Sequence, residues 1–172
     1  MLACNGGSGM SVAPDWLPPI ISVDGEWHSI LLKLHAVFTS DFKVGKKILF
    51  KLPVWWDQRV IDGDYEEGFW HLITREDYQK GERLFDPRRA ERLPWCGPTI
   101  SNASDKEIRV WESAESKHRN RLYLWLEHWD YVIVLEKRTF RIGDVYFLIT
   151  AYYVDGTYNR NKLQKKFDKR IV

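Results

Sequence analysis

The chain has 172 residues, 44% hydrophobic and 29% charged, the balance of one folded domain rather than of a disordered segment or a scaffold that needs a staple. Lys and Arg total 26 against 24 Asp and Glu, a formal net charge of +2, which excludes a uniformly basic coating protein but leaves room for a local basic face. Cys4 and Cys96 are the only cysteines, which excludes a disulfide framework and any Cys-x-x-Cys motif, and no run approaches the ~18 apolar residues of a membrane span.

The first ten residues, MLACNGGSGM, are rich in Gly and Ser and lack the basic and apolar regions of a secretory signal. With Pro14, Pro18 and Pro19 following, residues 1–21 read as a flexible tail ahead of a single domain, 22–172, in a cytoplasmic protein. Asp24-Gly25 is a turn signal. From Trp27 to Phe42 the apolar positions Ile30, Leu31, Leu34, Val37 and Phe38 predict a helix with one buried stripe. His28 and His35, seven apart on it, are too widely spaced for easy joint ligation of one ion and read as partly exposed helix histidines.

Lys46–Leu52 predicts a short strand closed by Pro53. A polar stretch, Asp57–Glu67, follows, and Gly68–Ile73 (GFWHLI) predicts a second strand. Thr74 then looks like an N-cap with Asp77 at the third helical position. Asp86-Pro87 is a second helix start, opening a segment to about Leu93 that Pro94 and Gly97-Pro98 break. Glu107–Trp111, Arg121–Glu127, Tyr131–Glu136 and Asp144–Val154 predict strands. Their links are too short for parallel crossovers, so the pairing is expected to be antiparallel. Asp155-Gly156 ends the last strand and Tyr158–Arg170 predicts a closing helix. The fold class is therefore α+β: N-terminal helices on a twisted antiparallel sheet, with a C-terminal helix.

Residues 156–172 carry six Lys/Arg and one Asp, a net +5, which leaves −3 to the first 155. Such a face can neutralise phosphates, or it can be a solvated helix surface. Three more basic clusters stand at element ends: Arg88/Arg89/Arg92, Lys117/Arg119/Arg121 and Lys137/Arg138/Arg141. The planar fork of Arg suits phosphate oxygens, and the interleaved Tyr123, Tyr152, Tyr153 and Tyr158 can stack on bases. The candidate RNA-binding residues are Arg88, Arg89, Arg119, Lys137, Lys162 and Lys165. His71, set among apolar residues, has the ordinary pKa for moving the proton of a ribose hydroxyl; from pattern alone the first reading is a core histidine bonded to backbone. Thr150 and Tyr152 share a face of the last strand and can orient a phosphate, or simply serve as good strand residues. Asp62, Asp64, Glu66 and Glu67 lack calcium-loop spacing, and neither a metal nor another cofactor is expected.

The stretches Gly68–Arg75 (GFWHLITR), Asp86–Trp95 (DPRRAERLPW), Tyr131–Leu135 and Leu148–Tyr153 (LITAYY) resemble phage- and mobile-element-associated members of the barnase–EndoU–colicin–RelE (BECR) nuclease superfamily. The resemblance covers roughly residues 27–170 in order of elements. It implies a metal-independent endoribonuclease that cleaves by attack of the ribose 2′-OH, a toxin or defence effector restrained by a neutralising protein. Carried over by position, it implies catalytic roles for His71, Glu136, Thr150 and Tyr152, with His71 or Glu136 as base, and a basic phosphate-holding role for Arg75, Arg88, Arg89 or Lys137, of which Arg75 is taken as the catalytic candidate. A second catalytic histidine is not matched; His118 and His128 fall in loops or at strand ends. A non-catalytic RNA- or protein-binding module on the same sheet, or a small-molecule enzyme with an enclosed pocket, are the other readings of these residues.

Overall fold

The structure, a computed structural model, describes residues 11–171. From Pro14 to Ile21 the chain is tied down rather than loose. Trp16 Nε1 donates to Asp105 (2.9 Å), Trp95 Nε1 donates to the Pro18 carbonyl (2.7 Å), and Ile21 N–H donates to the Glu91 carbonyl (2.9 Å). The remainder of the expected tail, residues 1–10, lies outside the described residues.

Helix α1 (Trp27–Phe38) forms on the predicted stripe and buries Ile30, Leu31, Leu34 and Phe38. Glu26 caps it, its carboxylate accepting from the N–H groups of His28 and Ser29. The helix continues as a π-helical segment, Thr39–Val44. The expected strand at Lys46–Leu52 is instead β1 (Ile48–Leu49), a two-residue turn and β2 (Leu52–Trp55), with Pro53 inside β2. Both turn residues, Phe50 and Lys51, have positive φ, as the tight hairpin geometry requires.

The largest departures follow. Gly68–Ile73, expected as a strand, is helix α2 (Glu67–Ile73): so short a run fits either period, and the joint burial of Phe69, Leu72 and Ile73 is the helical one. Thr74, expected to start a helix, ends this one: its hydroxyl donates to the Trp70 carbonyl (2.6 Å). Thr74–Asp77 is strand β3 and Glu82–Phe85 strand β4, an antiparallel hairpin. Helix α3 (Pro87–Glu91) starts where predicted, the Asp86 carboxylate accepting from the N–H groups of Arg88 and Arg89. Pro94 and Pro98 do not break the chain. They lie in α4 (Leu93–Ser101): Pro94 is in the first turn, where proline is tolerated, and at Pro98, inside the helix, burial of Leu93, Trp95, Cys96, Thr99 and Ile100 outweighs the proline penalty.

Strands β5 (Ile108–Ser116), β6 (Arg119–Leu126), β7 (Tyr131–Phe140) and β8 (Gly143–Tyr153) form the predicted meander, and α5 (Gly156–Asp168) closes it. The six-stranded sheet runs β1-β2-β8-β7-β6-β5. It is mixed, not wholly antiparallel, because β2 pairs with β8 in parallel through Val54–Tyr146 and Trp55–Phe147. The connection between those two strands is most of the domain, so short local links carry no signal of it. Helices α1–α4 cover one face over a core that includes Leu122, Leu124, Ile133, Leu135 and Leu148. On the other face Leu163 and Phe167 of α5 pack on Trp111, Tyr123, Trp125, Val132 and Val154. Trp111 stacks on Tyr123 (5.0 Å, 8°) and meets Phe167 edge-on (5.4 Å, 84°). No helix of the described residues is long and apolar enough to cross a membrane.

Candidate functional site

Strand β2 is shorter than β8 and pairs only as far as Phe147, so beyond that point the edge of β8 is met by α2 and α3 instead. The register of β7 with β8 slips there: Leu135 faces Leu148 but Val134 faces Thr150, leaving Ile149 as a bulge. A bulge re-aims the side chains that follow it. Without the extra residue Thr150 would share the face of Leu148; with it, Thr150 stands opposite Val134 on the α5 face.

At this edge an open cleft of about 1140 Å³ forms between the β3–β4 hairpin, the start of α3, the bulged end of β8 and the first turn of α5. Of the predicted site residues it brings together His71, Arg75, Arg88, Arg89, Thr150 and Tyr152. It also recruits Arg83 and Arg121, with Tyr78, Phe85 and Tyr153 as aromatic wall and Asn159 from α5. Five guanidinium groups thus border one space with three carboxylates, those of Glu76, Asp86 and Asp155. The excess is positive before any charge on His71.

The end of α2 explains how this arrangement is held. The last carbonyls of a helix have no partner within it. The His71 carbonyl accepts from the Thr150 hydroxyl (3.0 Å) and from Arg89 Nη1 (3.5 Å). Arg89 Nη1 also donates to the Thr74 carbonyl (2.7 Å) and to Thr150 Oγ1 (3.2 Å). Ile73 is satisfied by the Asp86 N–H (2.9 Å). Thr150 and Arg89 are therefore fasteners of the His71 backbone. The Arg89 guanidinium lies 5.5 Å from the Tyr152 ring centre; burial lowers its pKa, chiefly against Asp86, while its charge at neutral pH is retained, as for any arginine.

The His71 imidazole itself is free of these bonds and half-buried at the cleft wall. Its Nε2 lies 3.8 Å from Glu67 Oε2, one helical turn back. Its pKa is lowered from the ordinary 6.5, first by burial and then by the Arg83 charge, against the pull of Glu67, Asp57 and Glu76. The ring is accordingly neutral at pH 7 and able to accept a proton. Burial pushes the Tyr152 phenol up to about 12, so it remains a hydrogen-bond donor. Arg75 is exposed and in no ion pair among the described residues. Arg88 stands 3.8 Å from Asp155 and over the Tyr153 ring (4.9 Å).

Other predicted residues lie elsewhere. Glu136 does not line the cleft. It sits one row further along the sheet, with Arg138 Nε at 3.0 Å, Arg119 Nε at 3.6 Å and Arg121 Nε at 3.9 Å, where it holds guanidinium groups. Lys137 borders a second hollow on the opposite face and pairs with Asp144 (3.4 Å). Lys162 and Lys165 are exposed on α5, away from the cleft. The His35 Nε2 meets Glu66 Oε2 at 2.8 Å, inside a box of Phe38, Tyr65 and Phe69. Among the described residues no three His, Cys, Asp or Glu side chains gather as a metal-binding group. Cys96 is fully buried, its thiol pushed up to about 12 by burial, which makes it inert.

Arg83 and Arg121 are the site residues that sequence reasoning left out. Arg121 was visible within a basic cluster. Arg83 was hidden by the helix expected at Thr74. The signal that exposes it is Gly81, in a left-handed turn (φ +67°) between the strands Thr74–Asp77 and Glu82–Phe85, a hairpin signature.

No match exists in known protein families, characterised proteins or solved structures. The cleft's chemistry is thus the ground for any functional reading.

Proposed function

We propose that the cleft binds an RNA phosphodiester and cleaves it by 2′-OH transesterification. The observation that carries this reading is the convergence of a neutral, half-buried imidazole with five guanidinium groups around one open space. In the proposed step His71 Nε2 takes the proton of the ribose 2′-OH, and the 2′-oxygen bonds to phosphorus. The bond to the 5′-oxygen breaks, and that oxygen takes a proton from the Tyr152 phenol, later replaced from solvent. Arg75 is the guanidinium best placed for the non-bridging oxygens, since it has no competing carboxylate; Arg88 and Arg121 extend the anion site. Each such donor contributes on the order of 10²–10³ in rate, and a positioned base about 10²–10⁴. Thr150 and Arg89 act through His71, as positioning residues. The BECR-like arrangement, and restraint by a neutralising protein that covers the cleft, belong to the same proposal.

Purified protein incubated with total RNA in EDTA tests the reading. Wild type is expected to degrade the RNA, and His71→Asn to do so at least ~100-fold more slowly with an unchanged circular dichroism spectrum. Intact RNA with wild type across pH and salt overturns it. One observation favours a second reading, a binding module: among the described residues His71 is the one histidine at the cleft. That module binds RNA, leaves it whole and is indifferent to His71→Asn.

A further inference from the structure

Side chains directly opposite one another in register share a face of the sheet. The pairs Trp55–Phe147, Phe147–Glu136 and Glu136–Arg121 therefore form one row across β2, β8, β7 and β6. This row lies on the α5 face, beside the row of Thr150 and Val134, but beyond the reach of α5, which covers the other end. The uncovered end carries unusual contents for a solvated surface. Trp55 and Phe140 rings lie 5.1 Å apart and Phe140 is 38% exposed. The Arg138 guanidinium lies over Phe147, 4.0 Å from the ring centre, oriented by its bond to Glu136 (3.0 Å). Arg119, Arg121 and Arg138 gather around Glu136 at this end, and the neighbouring Glu115 is taken up by Lys166 and Tyr123, so guanidinium charge is in excess. Arg121 belongs both to this row and to the cleft wall.

We infer that this end of the sheet is a stacking platform for single-stranded RNA leaving the cleft, with bases on the Trp55 and Phe140 rings and the planar Arg138 group, and phosphates on Arg119 and Arg121. The inference rests on the reading of the cleft as an RNA site and adds the strand's form and path. Planar groups interleaved with guanidinium charge are what unpaired bases and their backbone require, whereas the stacked bases of a duplex offer no free faces. Phe147 lies three residues from Thr150, about 10 Å along a strand, so the platform serves nucleotides close to the phosphate in the cleft. Glu136 gains a role here: it fixes the plane of Arg138.

The test uses the full chain carrying His71→Asn, so that RNA stays whole, and fluorescence anisotropy of a labelled twelve-nucleotide unpaired RNA and of its duplex. The platform predicts tighter binding of the single strand. Phe140→Leu and Arg138→Lys each weaken single-strand binding by about fivefold to a hundredfold, while Phe140→Tyr restores it and the duplex is affected less than twofold. Phe140→Leu keeps apolar bulk and Arg138→Lys keeps charge, so both losses report stacking; unchanged melting temperatures exclude unfolding. Equal effects on strand and duplex, no effect of either variant, or self-association through this face that Phe140→Leu abolishes, overturn the platform. Tight, platform-dependent binding by a wild-type protein that never cuts RNA removes the nuclease reading and leaves the platform standing.

Discussion

Replacing Thr150 by Val removes one oxygen and leaves the side-chain shape nearly unchanged, so it isolates the fastening of His71. The hydroxyl donates to the His71 carbonyl at 3.0 Å and accepts from Arg89 Nη1 at 3.2 Å. In Thr150→Val the carbonyl retains only the long 3.5 Å contact with Arg89. Leaving a buried polar group without its partner costs about 1–3 kcal/mol; both bonds here are only part-buried, so about 1–2 kcal/mol is expected. For a domain of this size each kcal/mol lowers Tm by about 2–4 °C, giving a drop of roughly 2–8 °C in thermal unfolding followed by circular dichroism. Thr150→Ser, which keeps the hydroxyl, recovers most of it. Thr150→Val also loosens the turn that carries the imidazole, so RNA cleavage falls through kcat more than through KM. A Thr150→Val protein that melts with wild type and cleaves normally refutes the fastening argument.

Two other outcomes follow from the same geometry. Burial and, after it, the Arg83 charge lower the His71 pKa, so the acid limb of kcat/KM lies below pH 6.5, and Arg83→Gln, by removing a repelling cation, moves that limb upward; a limb that stays or moves down contradicts the assignment of His71 as base. Gly97 packs so tightly that an added Cβ would lie 2.7 Å from Asp41 Cγ and Oδ2, in a site where burial already raises the Asp41 pKa. Gly97→Ala is expected to cost about 1–3 kcal/mol by overpacking, read as a lower urea midpoint, and a midpoint equal to wild type means that Asp41 can move aside.

The β5–β8 meander and α5 were legible because long runs of Val, Ile, Tyr and Trp bounded by polar turns specify strands locally, and because Leu163 and Phe167 repeat at four. The segment 68–85 was misread because its evidence is short. Five residues, Phe69 to Ile73, fit alternation and helical spacing equally; burial of Phe69, Leu72 and Ile73 together decides for the helix. Thr74 and Asp77 have cap chemistry at cap spacing, yet Thr74 closes the preceding helix and Asp77 opens the hairpin turn, its carbonyl accepting from Gly81 N–H at 2.8 Å. Side-chain chemistry alone does not say which helix end a threonine serves. The parallel β2–β8 pair has no local signature at all. The cleft residues were partly legible from chemistry: His71, Arg75, Arg88, Arg89, Thr150 and Tyr152 do converge. Their division of labour was not, since the commitment of Thr150 and Arg89 to backbone carbonyls depends on a bulge at Ile149 that the sequence LITAYY does not announce.

A chimeric oligonucleotide of DNA with a single internal ribonucleotide tests the central claim most directly, because only that residue carries a 2′-OH. In EDTA, wild-type protein is predicted to cut it once, on the 3′ side of the ribonucleotide, leaving a 2′,3′-cyclic phosphate detectable by mass spectrometry, while the all-DNA strand stays whole. Cleavage of the all-DNA strand, or ends without a cyclic phosphate, would contradict attack by the ribose hydroxyl and with it the role assigned to His71.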